Sequence, residues 1–450
     1  MALLLNRCWL SIALRHDDAP QVRTVLAWHV LPNFFALVVA KLNFSVATFT
    51  VLYVMSGDPI PHKSDRLFVP RLDNAPLVGY AEGDEPSDQM TYQDASNLLA
   101  SGQGLRRTAV YGTNAAIDSG RADLPPFLAN GIAPTRDFFA MFEVPMLYGS
   151  IWSAADEAAK KDVIVLGREL SEKMFGTSNP VGKTVRFDET QWQVVGVADS
   201  WHPLPRYYRL QNGNGGGFTG SEEYFLPFQT AVRHEMGNNG NNNCNGEGPK
   251  EPGYQGWLKS ECDWIQFWFE GETAADQPRL KEFLAAYVTD QKKLGRFPRP
   301  VNVRMENVME WMKHMGVVSA DAKLSTWLAF GFLLVCLVNT VGLLLAKFSA
   351  RAGEVGVRRA LGATKNEIFR QFLTEAVVIG LVGGLLGLLL SFGGLWLISM
   401  QSEEMAVIAK MDWAMLALTL SLSIVASILA GLLPTWRACQ VTPALQLKTQ

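Results

Sequence analysis

Apolar positions fall into two regimes along this chain: unbroken runs towards both ends, and a long middle where they are interspersed with polar and turn-forming residues. Leu324 to Ala346 carries no charge and is bounded by Lys323 and Lys347. As a helix it reaches roughly 34 Å, enough to cross a bilayer core of about 30 Å. Ala376 to Met400 is a second such run, and Trp413 to Leu433, stopped by Pro434, a third. Phe34 to Met55 is apolar apart from Lys41, Asn43 and a few hydroxyls. Lys41 lies near the start of this run and is read as snorkelling to the interface. Four transmembrane helices are therefore expected.

Between them, strand-like alternation marks Leu67–Val69, Val163–Leu166, Thr184–Phe187, Gln191–Val197 and Val301–Val303. Helical periodicity marks Gln93–Ala100, Arg168–Phe175 and Pro278–Thr289. The expected fold class is a membrane protein with a large α+β domain inserted between helices 1 and 2. The boundaries read as a cytoplasmic or interfacial segment 1–33, helix 34–56, outer domain 57–322, helix 323–347 and cytoplasmic loop 348–371. Helix 372–400, a short outer loop 401–412, helix 413–434 and a cytoplasmic tail 435–450 complete it.

Charge sets the orientation. Arg7, Arg15 and Arg23 precede the first run, and Lys347, Arg351, Arg358, Arg359, Lys365 and Arg370 fill the loop between the second and third. Loop 401–412 has Lys410 alone against Glu403, Glu404 and Asp412. Basic loops stay inside, so both termini are placed in the cytoplasm and 57–322 outside. Residues 2–15 are too short to span, and the first run is expected to stay as an uncleaved anchor. Cys8, Cys336 and Cys439 fall in or beside the membrane, leaving Cys244 and Cys262 outside. A disulfide between these two would close the Asn- and Gly-rich tract 238–248. A net charge of −3 gives no reason to expect nucleic acid as a partner.

Enzyme signatures are poor. "FGTSNPVGKTVRF", residues 175–187, ends like a P-loop at Gly182, Lys183 and Thr184, but Thr177 stands where the first glycine belongs. From Thr184 onward the chain alternates as two strands around Asp188-Glu189-Thr190, which predicts a β-hairpin rather than strand, loop and helix. The six histidines are scattered without metal-type spacing, and there is no G-x-S-x-G. Trp257, Trp264, Phe267, Trp268 and Phe269 are read chiefly as core.

The informative segment is Gly353 to Phe369. Glu354 and Arg358 stand four apart in the favourable order for a helical ion pair. Gly362 suits a C-cap, and Thr364-x-x-Glu367 is a capping box that starts the next helix. The cytoplasm thus meets a short basic helix joined by a tight turn to a transmembrane helix.

"GEVGVRRALGATKNEIFRQFLTEAVVIGLVGGLLGLLL" resembles the signature of FtsX/MacB-type permeases of ABC transporters. "IAPTRDFFAMFEVPMLYGSIWSAADEAAKKDVIVLGRELSEKMFGTSNPVGKTVRFDETQWQVVGV" is similar to their MacB-like periplasmic core domain. The resemblance implies a mechanotransmitter in the bacterial inner membrane, not an enzyme. An ATPase subunit docks beneath the helix formed by Glu354, Val355, Gly356, Val357, Arg358, Arg359 and Leu361, and its ATP-driven closure moves the periplasmic domains. Arg358 and Arg359 face either acidic ATPase grooves or lipid phosphates, or only fix topology. Gly380, Gly383, Gly384 and Gly387 give small-xxx-small spacings that suit a dimer seam or packing within one subunit.

MacB proper carries its ATPase ahead of the first span. Here about 33 residues precede it, so the ATPase, with its ATP and Mg, is expected on a separate chain and no cofactor on this one. Other implied partners are a second permease copy or paralogue, a periplasmic adaptor and an outer-membrane channel. Export of a periplasmic substrate is the first functional expectation. A regulator that switches a periplasmic cell-wall hydrolase and a lipoprotein-release permease are the alternatives. Tract 211–262 matches no motif of the family.

Overall fold

The computed structural model describes residues 56–119, 123–210, 220–245, 248–318 and 352–371, with isolated positions between 324 and 436. The chain divides into two compact units, Val54–Ser319 and Met1–Tyr53 with Ala320–Gln450. Among the described residues no helix is long and apolar enough to cross a membrane. The run Phe34–Met55 and most of the runs Ala376–Met400 and Trp413–Leu433 lie outside those residues, as do part of Leu324–Ala346, Lys41, Cys8, Cys336, Cys439 and the glycines at 380, 383, 384 and 387.

The first unit is built on one mixed sheet. Its strands are β1 (Leu67–Leu72), β2 (Arg106–Asp118), β3 (Phe127–Pro134), β4 (Met146–Gly149) and β5 (Val163–Gly167). They continue with β6 (Thr184–Phe187), β7 (Thr190–Ala198), β8 (Tyr224–Phe225), β9 (Gln266–Glu270) and β10 (Val303–Asn307). The order is β10-β1-β9-β2-β3-β8-β5-β7-β4, with β6 paired to β2 and β7. Only β3–β8 and β5–β7 run parallel among the described pairs.

The helices are α1 (Tyr92–Ala100), α2 (Asp137–Met141), α3 (Ala154–Ala158), α4 (Arg168–Phe175), α5 (Phe228–Arg233), α6 (Gly253–Leu258), α7 (Asp276–Lys293) and α8 (Val308–His314). Helix α4 carries the chain out of β5 towards the β6–β7 hairpin. It buries Leu170 and Met174, four residues apart, as an amphipathic helix on a sheet must.

The stretch that ends like a P-loop runs from the end of α4 into β6. Gly176 caps α4 with φ 66° and Gly182 turns the chain with φ 89°, a backbone region that glycine enters without strain. Lys183 donates its N–H to the Pro180 carbonyl at 3.0 Å and its Nζ lies 5.0 Å from the Phe175 ring centre. No helix begins after it, so nothing here cradles a phosphate. The hairpin forms as read, with Phe187 opposite Thr190 and Asp188 at φ 50° in the turn.

One expected strand is shifted. Val301 lies outside the sheet and is exposed, and β10 begins at Val303, where Leu72 of β1 offers the first backbone partner.

Aromatic side chains fill the interior. Trp152, Trp192, Trp264, Trp268 and Trp311 are fully buried. Trp268 and Trp311 donate their indole N–H groups to the carbonyls of Tyr208 and Tyr207, at 3.0 and 3.1 Å, so their polar ends are satisfied as burial requires. Phe267 and Phe269 are also buried, and Trp257 is half-buried.

The Asn- and Gly-rich tract is held at its far end. Cys244 and Cys262 form a disulfide, and beside it Asn243 and Asp263 exchange backbone hydrogen bonds of 3.0 and 2.7 Å. With the cysteines 18 positions apart in sequence, loop closure alone stabilises by about 3 kcal/mol.

Candidate functional site

In the second unit the described backbone centres on one short helix, α9 (Ala352–Ala360). Glu354 sits in its first turn and Arg358 and Arg359 in its last, the arrangement that a helix dipole favours. Arg358 Nη2 bonds Glu354 Oε1 at 2.6 Å, and Nη1 bonds Gln371 Oε1 at 2.9 Å. The first contact was legible as an i, i+4 pair. The second, thirteen residues away, was not, because it depends on how the next helix folds back.

The turn is closed by backbone. Leu361 N–H donates to the Val357 carbonyl at 3.0 Å, and Ala363 N–H to the Arg358 carbonyl at 3.0 Å. Gly362 has φ 102°, where a side chain would be strained. The capping box comes next: Glu367 N–H donates to Thr364 Oγ1 at 3.3 Å, and Thr364 N–H to Glu367 Oε2 at 2.8 Å. These bonds from Thr364 hold the Glu367 carboxyl below its usual range. The box is therefore strongest with Glu367 ionised and weakens as falling pH protonates it.

Burial divides the segment into two faces. Val355, Gly356 and Ile368 are buried, whereas Val357 and Leu361 are 56% and 83% exposed. Arg359 is half-buried. Val357 and Leu361 thus form an exposed apolar pair four residues apart, beside the Glu354–Arg358 ion pair and next to a capped turn. Among the described residues no three His, Cys, Asp or Glu side chains are grouped to hold a metal.

A unit built on one mixed sheet and a chain bearing long apolar runs fit a membrane protein with an extramembranous domain. Residues 41–259 match the MacB-like periplasmic core domain and residues 327–443 the FtsX-like permease C-terminal domain. The chain belongs to the FtsX/MacB-type ABC-transporter permeases, a family of transporter subunits in the inner membrane with a periplasmic domain.

Similar proteins include the pyoverdine export ATP-binding/permease protein PvdT of Pseudomonas fluorescens, 25% identical over 83% of this chain and 50% of that protein. The macrolide export ATP-binding/permease protein MacB of Chromobacterium violaceum is 24% identical over 70% of this chain and 42% of its own length. The chain spans about half the length of the curated relatives it matches. Among solved structures, the periplasmic region of MacB from Actinobacillus actinomycetemcomitans is 14% identical, with a TM-score of 0.34 over 55% of this chain and 92% of that one.

Proposed function

We propose that this chain is the mechanotransmitting permease subunit of a MacB-like exporter. It sits in the inner membrane through four helices with both termini in the cytoplasm. A separate ATPase subunit, which carries the ATP and Mg, docks on Glu354 to Leu361. Closure of the ATPase dimer is passed through the capped turn at Gly362 to the following helix and so to the periplasmic domain, which moves a periplasmic substrate outward. A second permease copy or paralogue completes the dimer, and an adaptor and outer-membrane channel extend the path.

The observation that carries this reading is the exposure of Val357 on α9 and of Leu361 in the turn after it, a segment tied down by the bonds of that turn and by Arg358. Apolar side chains so displayed gain on the order of 1.5–3 kcal/mol each when a partner covers them. Pull-through of the ATPase with this chain, solubilised from native membranes, is the test. Leu361→Glu puts a charge into that contact and is expected to reduce recovered ATPase by about tenfold or more. Because Leu361 is exposed, the variant is expected to fold as the parent does. Undiminished recovery of the ATPase would remove Leu361 from the docking surface.

A further inference from the structure

Asp263 follows Cys262 of the disulfide and anchors the Asn-rich loop 238–245. Its backbone exchanges hydrogen bonds with Asn243, at 3.0 and 2.7 Å. The residue is 1% exposed, and its Oδ1 accepts from Asn74 Nδ2 at 2.9 Å. The same Asn74 amide donates to the Glu261 carbonyl at 3.0 Å and accepts from Asn245 Nδ2 at 3.4 Å. One amide thus ties segment 73–89, which leads from β1 to α1, to the loop and to the stretch that carries Asp263.

The surroundings of the Asp263 carboxyl do not suit a charge. Its Oδ2 has no hydrogen-bond partner. Facing it are Asn74 and Ser87 of segment 73–89, the Asn243 backbone, Asp94 of α1 and Glu261. The two charged groups among these are both carboxylates. Arg296, the cation on that side, makes its ion pairs with Asp94 and Glu261, at 2.7 and 2.6 Å. Burial, with Asp94 adding to it, holds the Asp263 carboxyl well above its usual range. A neutral carboxyl fits such a place, whereas a carboxylate needs water or a cation beside it.

We propose that Asp263 is a pH-operated latch on the Asn-rich loop. With the carboxyl protonated, the loop stays closed against segment 73–89. Once ionised, it keeps one amide partner, faces two like charges and gains water only if the loop parts from Asn74. Opening uncovers the Cys244–Cys262 disulfide, whose Cys262 is fully buried in the closed form.

The sign follows from linkage. A carboxyl held above its usual value in the closed form favours that form at low pH and ceases to do so as pH rises through the closed-form value. From the ordinary value of 3.8 up to that point, the opening equilibrium grows by about tenfold per pH unit, and above it the growth stops. The latch stands independently of the transport reading, because it rests on the outer unit alone.

Reduction of the disulfide in the full chain in detergent tests it. Tris(2-carboxyethyl)phosphine is applied from about pH 5 to about pH 8, above the ordinary carboxylate range, and the released Cys244 and Cys262 thiols are alkylated and followed by peptide mass spectrometry. Asp263→Asn is the comparison. Its amide matches the protonated carboxyl in shape and cannot ionise, and its rate at each pH cancels the reagent's own pH dependence. The rate in the parent relative to the variant is expected to rise about tenfold or more across this range. A constant ratio would overturn the latch. Hydrogen exchange of the parent alone gives a second reading that needs no variant. Corrected for intrinsic exchange, protection over 238–245 is expected to fall about tenfold or more across the same range while that of α4 holds. Protection of the loop that does not change with pH, or that is lost equally in α4, would overturn it as well.

Discussion

Replacing Gly356 by proline is expected to lower ATP hydrolysis in the assembled complex to the rate of the ATPase alone. Gly356 is the fifth of the nine residues of α9, so its N–H faces the carbonyl of Ala352 one turn back. Proline removes that donor, and its ring collides with the same carbonyl, at a cost of about 3 kcal/mol. A helix this short has little stability of its own to absorb the loss. Its second half carries Arg358, bonded to both Glu354 and Gln371, and displays Val357 and Leu361. All of these would be misplaced together, and a loss of about 3 kcal/mol is more than a hundredfold in occupancy of the docking-competent helix. The measurement is ATPase activity with and without the variant at matched expression. Normal stimulation would show that α9 does not carry the coupling.

The largest expected effect on stability lies in the outer unit, at Arg296. Its Nη1 and Nη2 reach both Asp94 oxygens at 2.8 and 2.7 Å, and its Nε and Nη2 reach both Glu261 oxygens at 2.6 and 2.8 Å. Asp94 is 1% exposed and also accepts from the Tyr287 and Thr91 hydroxyls, each at 2.6 Å. Through these bonds one guanidinium ties α1 and α7 to the segment bearing Glu261. Arg296→Met keeps most of the side-chain volume but leaves the Asp94 carboxylate buried without its cation. Breaking such a pair from one side costs about 3–5 kcal/mol, because the remaining charge still bears its desolvation. For a unit of this size the unfolding midpoint should fall by roughly 6–20 °C, read by tryptophan fluorescence of the full chain. Adding Asp94→Asn should recover part of the loss, since the orphaned charge goes with it. An unchanged midpoint in Arg296→Met would mean that the network is not structural.

Local structure was the part legible in the sequence. The β6–β7 hairpin could be read because Thr184–Phe187 and Gln191–Val197 alternate about a polar turn, and α4 because its apolar positions recur at helical spacing. The capping box at Thr364 and Glu367 was legible for the same reason, as both partners lie within one turn. Strands β2 and β3 were not. "RRTAVYGTNAAID" is rich in small residues and is buried without interruption from Thr108 to Thr113, so little alternation survives to mark it. Gly131 on β3 is small because a Cβ there would stand 2.4 Å from the Tyr224 carbonyl, a constraint set by a strand far along the chain. Strand β9 showed only as a crowd of aromatics, since its two faces are both covered. The surroundings of Asp263 were invisible for a related reason: Asn74, Asp94, Asn243 and Asp263 meet only once the sheet has formed. Distant carboxylates and amides carry no spacing signal.

That α9 receives the motion of a separate ATPase is tested most directly by purifying the full chain from its native membrane in mild detergent. Mass spectrometry then identifies the co-purifying proteins, and the eluate is assayed for ATP hydrolysis. An ABC ATPase subunit and ATP hydrolysis are expected in the same fraction. Recovery of this chain with its fold intact but with neither ATPase protein nor activity would contradict the coupling role of α9.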